Sequence, residues 1–199
     1  EMGLLFRKGT ALEALARADT VVLDKTGTLT RGKPTLVRVL PFGLSQEEAL
    51  RLAAALERGS EHPLAKAVLE AAESLPQAQA EEVRALPGVE GRVDGRRLHL
   101  GGPALMERLG VPLPEEAKAL PEEGYTPLYL VEGTRLLAAF AVFDPPRPEA
   151  QEAVAALKAL GLKLVLLTGD HPAPARRVAE ALGIPEVLAG VRPEGKVEA

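Results

Sequence analysis

Apolar positions follow two different periods along this chain, and the change of period divides it into three stretches. Thr20-Val21-Val22-Leu23 is a short continuous apolar run ending at Asp24, the pattern of a strand buried on both faces of a parallel sheet. Ala11–Arg17 ahead of it reads as a helix, and Gly27, Gly32 and Pro34 behind it interrupt any regular element. From Lys33 to Ala141 the texture changes. Thr35–Leu40 reads as a strand, and Ser45 followed by Glu48 predicts a capped helix running to Glu57. A second helix starts at Pro63 and carries Leu64, Ala67, Val68 and Ala71 on one face. Short strands follow at Glu82–Leu86, Val89–Val93 and Arg97–Leu100, with Asp94-Gly95 as a hairpin turn. Two short helices then precede strands at Tyr125–Val131 and Arg135–Phe143, separated by Glu132-Gly133.

The last stretch returns to the rhythm of the first. Pro148–Leu160 predicts a helix with Ala150, Val154 and Leu157 on one stripe and Gly161 as its stop. Lys163–Leu167 predicts a buried strand, Pro174–Leu182 a helix closed by Gly183, and Val187-Leu188 a short strand. Strand–helix alternation at both ends, with hairpins and helices mixed between them, predicts an α/β fold. Residues 1–32 and 142–199 build a doubly wound parallel sheet, and residues 33–141 form an α+β domain inserted into it.

Composition narrows the function classes. A net charge of -4 gives no basic footprint, so nucleic acid is not an expected partner. The absence of cysteine excludes disulfides and thiolate metal sites within these 199 residues. No stretch reaches the roughly 18–20 uninterrupted apolar residues of a membrane-spanning helix. The lack of asparagine, the excess of arginine over lysine and the abundant proline lean towards a thermophilic source.

In an open parallel sheet, ligands collect at the carboxyl ends of the strands. Asp24 ends one predicted strand, and Thr168-Gly169-Asp170 follows another. With those strands side by side, a carboxylate, a hydroxyl and glycine-rich backbone amides converge. That is the environment a phosphoryl group needs: a nucleophilic oxygen, donors around the equatorial oxygens and a cation. Lys25 adds local positive potential, Gly27 permits a tight turn, and Lys196 brings a second point charge from a further helix start.

Asp24–Thr30, reading Asp-Lys-Thr-Gly-Thr-Leu-Thr, resembles the signature of P-type ATPases within the haloacid dehalogenase superfamily. Thr168-Gly169-Asp170 falls where that family places its next signal, and Asp144-Pro145-Pro146-Arg147 resembles its return hinge. The resemblance covers essentially the whole chain. It implies a haloacid-dehalogenase-like fold in which Asp24 attacks the γ-phosphate of ATP and becomes an aspartyl-phosphate. It further implies that the Asp24 carboxylate and the Thr26 carbonyl help to hold Mg2+, and that Thr168 and Lys196 stabilise the transferred phosphoryl group. Asp170 and Arg147 would support nucleotide or hinge contacts, and the middle domain would deliver ATP to Asp24 by hinge closure.

Ser60-Glu61-His62-Pro63-Leu64 bears on the subgroup. By position alone His62 is a cap residue beside a proline at the first helical position. The run also resembles the heavy-metal-transporting P-type ATPases, which implies that His62 packs near adenine and that Glu57 contacts it. Gly88 and Gly101 match glycines at which backbone approaches the nucleotide; read locally, they are a proline–glycine turn and a strand end. The subgroup's Gly-x-Gly is broken here, with Leu86 in place of the first glycine, which puts close approach there in doubt. The Lys-Gly-Ala element of calcium and sodium pumps is absent. Glu61 and the Gly3-Leu4-Leu5-Phe6-Arg7 run look more like copper transporters than zinc or cadmium ones, which favours Cu(I). His99, alternating with Leu98 and Leu100, is expected on the polar face of a strand, and His171 at a helix start; neither is given a metal role.

The family carries a Gly-Asp-Gly-x-Asn-Asp loop beyond the Lys196 region that is not in this chain. The resemblance therefore implies a cytoplasmic part of an integral membrane protein of the bacterial inner membrane, with transmembrane and actuator domains as partners. Such a piece is expected to bind ATP but turn it over poorly, and its incomplete sheet invites dimerisation. The rival reading is a haloacid-dehalogenase-type phosphatase with a cap domain. Those enzymes usually place a second aspartate two residues after the nucleophile, where this chain has Thr26. A nucleotide-sensing module without catalysis is a further alternative.

Overall fold

A computed structural model describes residues 19–25, 29–168 and 172–189; the expected helix at Ala11–Arg17 lies outside them. In chain order the elements begin with β1 (Thr20–Asp24), β2 (Thr35–Pro41), α1 (Gln46–Glu57), α2 (Pro63–Ala71) and β3 (Ala80–Leu86). They continue with β4 (Gly88–Val93), β5 (Arg96–Gly101), α3 (Pro103–Leu109), α4 (Glu115–Glu122) and β6 (Thr126–Glu132). The last are β7 (Arg135–Phe143), α5 (Pro148–Ala159), β8 (Lys163–Leu167), α6 (Pro172–Leu182) and β9 (Glu186–Leu188). They fall into two compact units: Lys33–Phe143, and the residues up to Gly32 together with those from Asp144 onward. The boundary expected at Ala141 falls inside β7, because that strand stays paired with β2 as far as Thr35 opposite Phe143.

The unit formed from both ends carries a three-stranded sheet in the order β1-β8-β9. Both pairings are parallel, with Asp24 opposite Leu167 and Leu167 opposite Leu188. Parallel neighbours need a crossover, and α6 supplies it between β8 and β9. Its buried Ala175, Val178, Ala179 and Leu182 recur at helical spacing and form the apolar stripe that covers the strands. The apolar run of β8 has Leu164 through Leu167 buried, as expected for a strand enclosed on both faces.

The Lys33–Phe143 unit is an antiparallel six-stranded sheet in the order β2-β7-β6-β5-β4-β3. One face packs on α1 and α2 through Leu52, Leu56, Val68, Leu98, Leu100, Leu130 and Phe140. The other packs on α3 and α4 through Leu105, Met106, Leu120, Tyr129, Val131 and Ala141. Helices on both faces explain why β6 and β7 read as unbroken apolar runs although their neighbours are antiparallel. Each fully buried leucine or phenylalanine contributes about 1.5–3 kcal/mol of transfer free energy. The Tyr129 hydroxyl, buried in the second cluster, donates to the Ala117 carbonyl at 2.9 Å.

Local signals explain several boundaries. Ser45 caps α1, its hydroxyl accepting from the Glu48 amide at 3.1 Å, while the Glu48 carboxylate turns to Arg51 rather than back to the cap. Asp94 and Gly95 both hold positive φ, 52° and 77°, as a two-residue hairpin turn demands. The strand expected from Glu82 starts two residues earlier and contains a bulge, with the pairing shifting between Glu81 and Arg84. Glu82, at φ 52°, occupies the extra position and pairs with Arg92 and Arg97 at 3.5 and 3.2 Å.

Candidate functional site

The Lys33–Phe143 unit contains a cavity of about 640 Å³. It is lined by Glu57, Arg58, Gly59, Ser60 and His62 from the end of α1 and the following turn, and by Leu64 and Ala65 of α2. Val83, Ala85 and Leu86 of β3 also line it, with Gly88 and Val89 of β4, Leu100 and Gly101 of β5, then Gly102 and Leu128. The volume and the mixture of apolar wall with few polar groups suit a small molecule with a flat apolar part.

The turn between α1 and α2 builds the polar corner. The Ser60 amide donates to the Glu57 carbonyl at 3.0 Å, the His62 amide to the Ser60 hydroxyl at 3.3 Å, and the Leu64 amide to His62 Nδ1 at 3.2 Å. Pro63 lacks an amide hydrogen at the first helical position, so His62 caps the next amide along. With Nδ1 accepting, the neutral imidazole carries its proton on Nε2 and offers a donor at the cavity. His62 is thus both the cap that its position predicts and a cavity-lining residue. Glu57 is half-buried, and burial pushes its carboxyl up from the ordinary value.

Gly88 and Gly101 line the same cavity, but neighbouring atoms of the protein itself are what crowd an added carbon there, backbone at Gly88 and mainly a leucine side chain at Gly101. Gly88 holds φ 103°, and a Cβ on it would lie 2.5 Å from the Leu100 carbonyl oxygen. A Cβ on Gly101 would lie 2.6 Å from Leu105 Cδ2 and 3.3 Å from the Gly88 Cα. The two glycines let β4 and β5 close against the start of α3. Leu86, standing where a glycine was expected, is among the residues that line the cavity. Sequence reasoning missed Val83 and Ala85; their alternation in β3 is the signal, obscured by the extra residue at Glu82.

The unit that carries Asp24 has the second candidate site. Asp24 is the last residue of β1, directly opposite Leu167, and Thr168 follows Leu167 at the same end of the sheet. Thr168 is 1 % exposed and its amide donates to the Leu188 carbonyl at 2.9 Å. Lys25 is buried beside Asp24. Arg147 caps α5, and its Nε donates to the Thr30 carbonyl at 3.0 Å. Thr26, Gly169, Asp170, His171 and Lys196 lie outside the described residues. His99 faces Glu90 across the β4–β5 pair, as its alternation with the buried Leu98 and Leu100 predicts: Nε2 lies 3.7 Å from Glu90 Oε2, while the side chain is only 16 % exposed and its buried Nδ1 lacks a hydrogen-bond partner. Among the described residues there is no group of three His, Cys, Asp or Glu residues able to hold a metal. No described helix is long and apolar enough to cross a membrane.

A carboxylate at the carboxyl end of a parallel strand, with a buried threonine at the end of the adjacent strand, narrows the class of protein, and sequence comparison supplies the family. The chain belongs to the haloacid dehalogenase-like hydrolase family, which matches residues 18–199. Among its relatives is the copper-transporting ATPase 1 of Rhizobium meliloti, 42 % identical over 207 residues, covering all of this chain and 25 % of that protein. The copper-exporting P-type ATPase B of Archaeoglobus fulgidus is 40 % identical over 200 residues, covering 98 % of this chain and 29 % of that one. Among solved structures, a zinc-transporting PIB-type ATPase in its E2.Pi state superposes with a TM-score of 0.80 at 39 % identity, over 98 % of this chain and 33 % of the other. The chain thus matches heavy-metal P-type ATPases along its whole length, while spanning about a quarter of the length of the curated relatives.

Proposed function

We propose that the chain is the ATP-binding and phosphorylation region of a P-type ATPase that exports a heavy-metal cation, with Cu(I) favoured. One observation carries the reading: Glu57, His62, Gly88 and Gly101, scattered over 45 positions, line a single cavity in a chain that also presents Asp24 at a strand end. In this reading Lys33–Phe143 is the nucleotide-binding domain and the remainder the phosphorylation domain, both on the cytoplasmic side of a bacterial inner-membrane pump. Transmembrane and actuator domains of the same pump are its partners. Copper is favoured over zinc by Glu61 and the opening Gly3–Arg7 run, and the copper-transporting relatives are consistent with that choice.

The apolar wall of Val83, Ala85, Val89 and Leu128 would receive the base, and the Glu57 carboxylate would accept from its exocyclic amine, with His62 alongside. In the transfer step an Asp24 carboxylate oxygen attacks the γ-phosphorus of ATP. A new oxygen–phosphorus bond forms, the bond to the bridging oxygen breaks, and ADP leaves with that electron pair. In this proposal Lys25, Thr168, Gly169 and Lys196 would stabilise the transferred group, and Asp170 and Arg147 would support nucleotide or hinge contacts; Gly169, Asp170 and Lys196 lie outside the described residues. Asp24 is a hard oxygen donor of the kind Mg2+ takes, and Mg2+ binds through one or two carboxylates plus phosphates rather than a full protein cage. Asp24 and the Thr26 carbonyl would hold it, and it would neutralise charge on the phosphate oxygens.

The test is phosphoenzyme formation in the full-length protein. With labelled ATP the expected product is acid-stable and hydroxylamine-sensitive, and Asp24→Asn abolishes it while nucleotide binding persists. Label retained in Asp24→Asn refutes the assignment. Rapid turnover of p-nitrophenyl phosphate without a trapped intermediate supports the phosphatase reading instead. Stimulation of ATP turnover by Zn(II) but not by Cu(I) overturns the choice of ion alone.

A further inference from the structure

The stretches that lead into and out of Lys33–Phe143 pair with each other inside the unit that carries Asp24. Thr30 and Pro146 form an antiparallel bridge. The Arg31 amide donates to the Pro145 carbonyl at 3.3 Å and the Arg147 amide to the Leu29 carbonyl at 2.7 Å. At the centre of this pairing is Thr30, with 0 % of its surface exposed. Its amide donates to the Lys25 carbonyl at 3.1 Å, closing a turn whose first residue directly follows Asp24. Its hydroxyl lies 2.7 Å from Asp144 Oδ2 and 3.3 Å from that same Lys25 carbonyl.

A hydroxyl has one proton to give, and the shorter, charge-assisted contact takes it. The Thr30 side chain is therefore aimed by a carboxylate on the returning stretch, while its backbone holds the carbonyl next to Asp24. Local propensity does not require this. An isolated turn closes with the amide alone, and a threonine in it is free to face water. Burying the hydroxyl makes its partner obligatory, because an unpaired buried donor is costly.

We propose that Thr30 is a positioning residue for the phosphoryl acceptor, its hydrogen bond to Asp144 tying the shape of the Asp24 turn to the pairing of the two connecting stretches. The proposal rests on Asp24 being the acceptor. Thr30 touches no reacting atom in this role; it acts through the Lys25 carbonyl and the peptide joining Lys25 to Asp24. Thr30→Val keeps the shape of the side chain and removes the donor, whereas Thr30→Ser keeps the donor.

In the full-length protein, Thr30→Val is expected to slow phosphoenzyme formation by about 10- to 100-fold, the range set by a small misplacement of a reacting group. Nucleotide affinity stays unchanged, and Thr30→Ser restores the rate. Thr30→Val combined with Asp144→Ala slows the step no further than Asp144→Ala alone, since the bond the two residues share is already lost. A readout independent of turnover is amide exchange: Asp144→Ala raises exchange at Thr30 while β1 and β8 keep their protection. Parent-like phosphorylation in Thr30→Val overturns the proposal, as does exchange that rises equally across β1 and β8, the mark of a merely structural loss. An unsubstituted protein that forms no phosphoenzyme removes the acceptor reading and this proposal together. Normal labelling there with an unaltered Thr30→Val rate removes the positioning role alone.

Discussion

Three glycine-to-alanine substitutions separate two costs that coincide at Gly88. Gly95 holds φ 77° with nothing within 4 Å of an added Cβ, so Gly95→Ala measures the left-handed backbone alone. That costs about 1–2 kcal/mol. At Gly101, outside the left-handed region, the added carbon meets Leu105 Cδ2 at 2.6 Å, the far end of a side chain that can rotate. Gly101→Ala therefore falls at the lower end of the roughly 1–3 kcal/mol range for overpacking. Gly88 combines φ 103° with a Cβ 2.5 Å from the Leu100 carbonyl, a backbone atom held by strand pairing. Gly88→Ala should cost about 3–5 kcal/mol, a large share of the roughly 5–15 kcal/mol that holds a domain folded. Tyrosine fluorescence during urea unfolding isolates the effect. The chain has two tyrosines and no tryptophan, and Tyr125 and Tyr129 both lie in Lys33–Phe143. The signal thus reports one unit, to which a two-state treatment applies. Nucleotide affinity should fall with Gly88→Ala and hold with Gly95→Ala, which is away from the cavity. A Gly88→Ala cost within about 1 kcal/mol of the Gly95→Ala cost would refute the carbonyl-clash term.

Glu57 gives a pH-dependent prediction. Its carboxyl is raised by burial, so the folded unit keeps a proton that the unfolded chain releases. The resulting stability is fully present below the unfolded pKa and is lost as pH rises through the folded value. Glu57→Gln should flatten that slope in urea midpoints measured from acidic to neutral pH; an unchanged slope sinks the argument. Adenine affinity should move the opposite way in the parent protein, falling as acid neutralises the acceptor, and titration calorimetry in Glu57→Gln should show no such dependence. Tyr129→Phe strands the buried Ala117 carbonyl and should cost about 1–3 kcal/mol, read as a lower urea midpoint by circular dichroism. A midpoint equal to that of the parent would mean another donor reaches Ala117.

Elements set by short-range chemistry could be read from the chain directly. β7 matches its predicted span because both of its faces are covered, Ser45 fixes the start of α1, and Asp94-Gly95 admits only a tight turn. The cavity was legible only in part. Glu57, His62, Gly88 and Gly101 were found through family resemblance, and the apolar wall was missed because an inserted residue breaks the alternation of β3. Long-range pairing left no local trace. Nothing near Thr30 announces Asp144, more than a hundred positions away, as the acceptor for its hydroxyl. Alternation placed His99 on the face it shares with Glu90, but it says nothing of how fully neighbouring side chains enclose the ring.

The pairing of Thr35 with Phe143 brings the two ends of the inserted unit together, and this has a kinetic consequence. β1 and β8 lie roughly 140 residues apart along the chain, and closing so long a disordered loop before any pairing forms is entropically expensive. Once Lys33–Phe143 has folded, its adjoining ends leave only about 30 residues of effective loop, lowering the closure cost by roughly 1 kcal/mol. Effective contact order drops with it. The inserted unit is therefore expected to fold first and to act as a staple that hastens assembly of the sheet bearing Asp24.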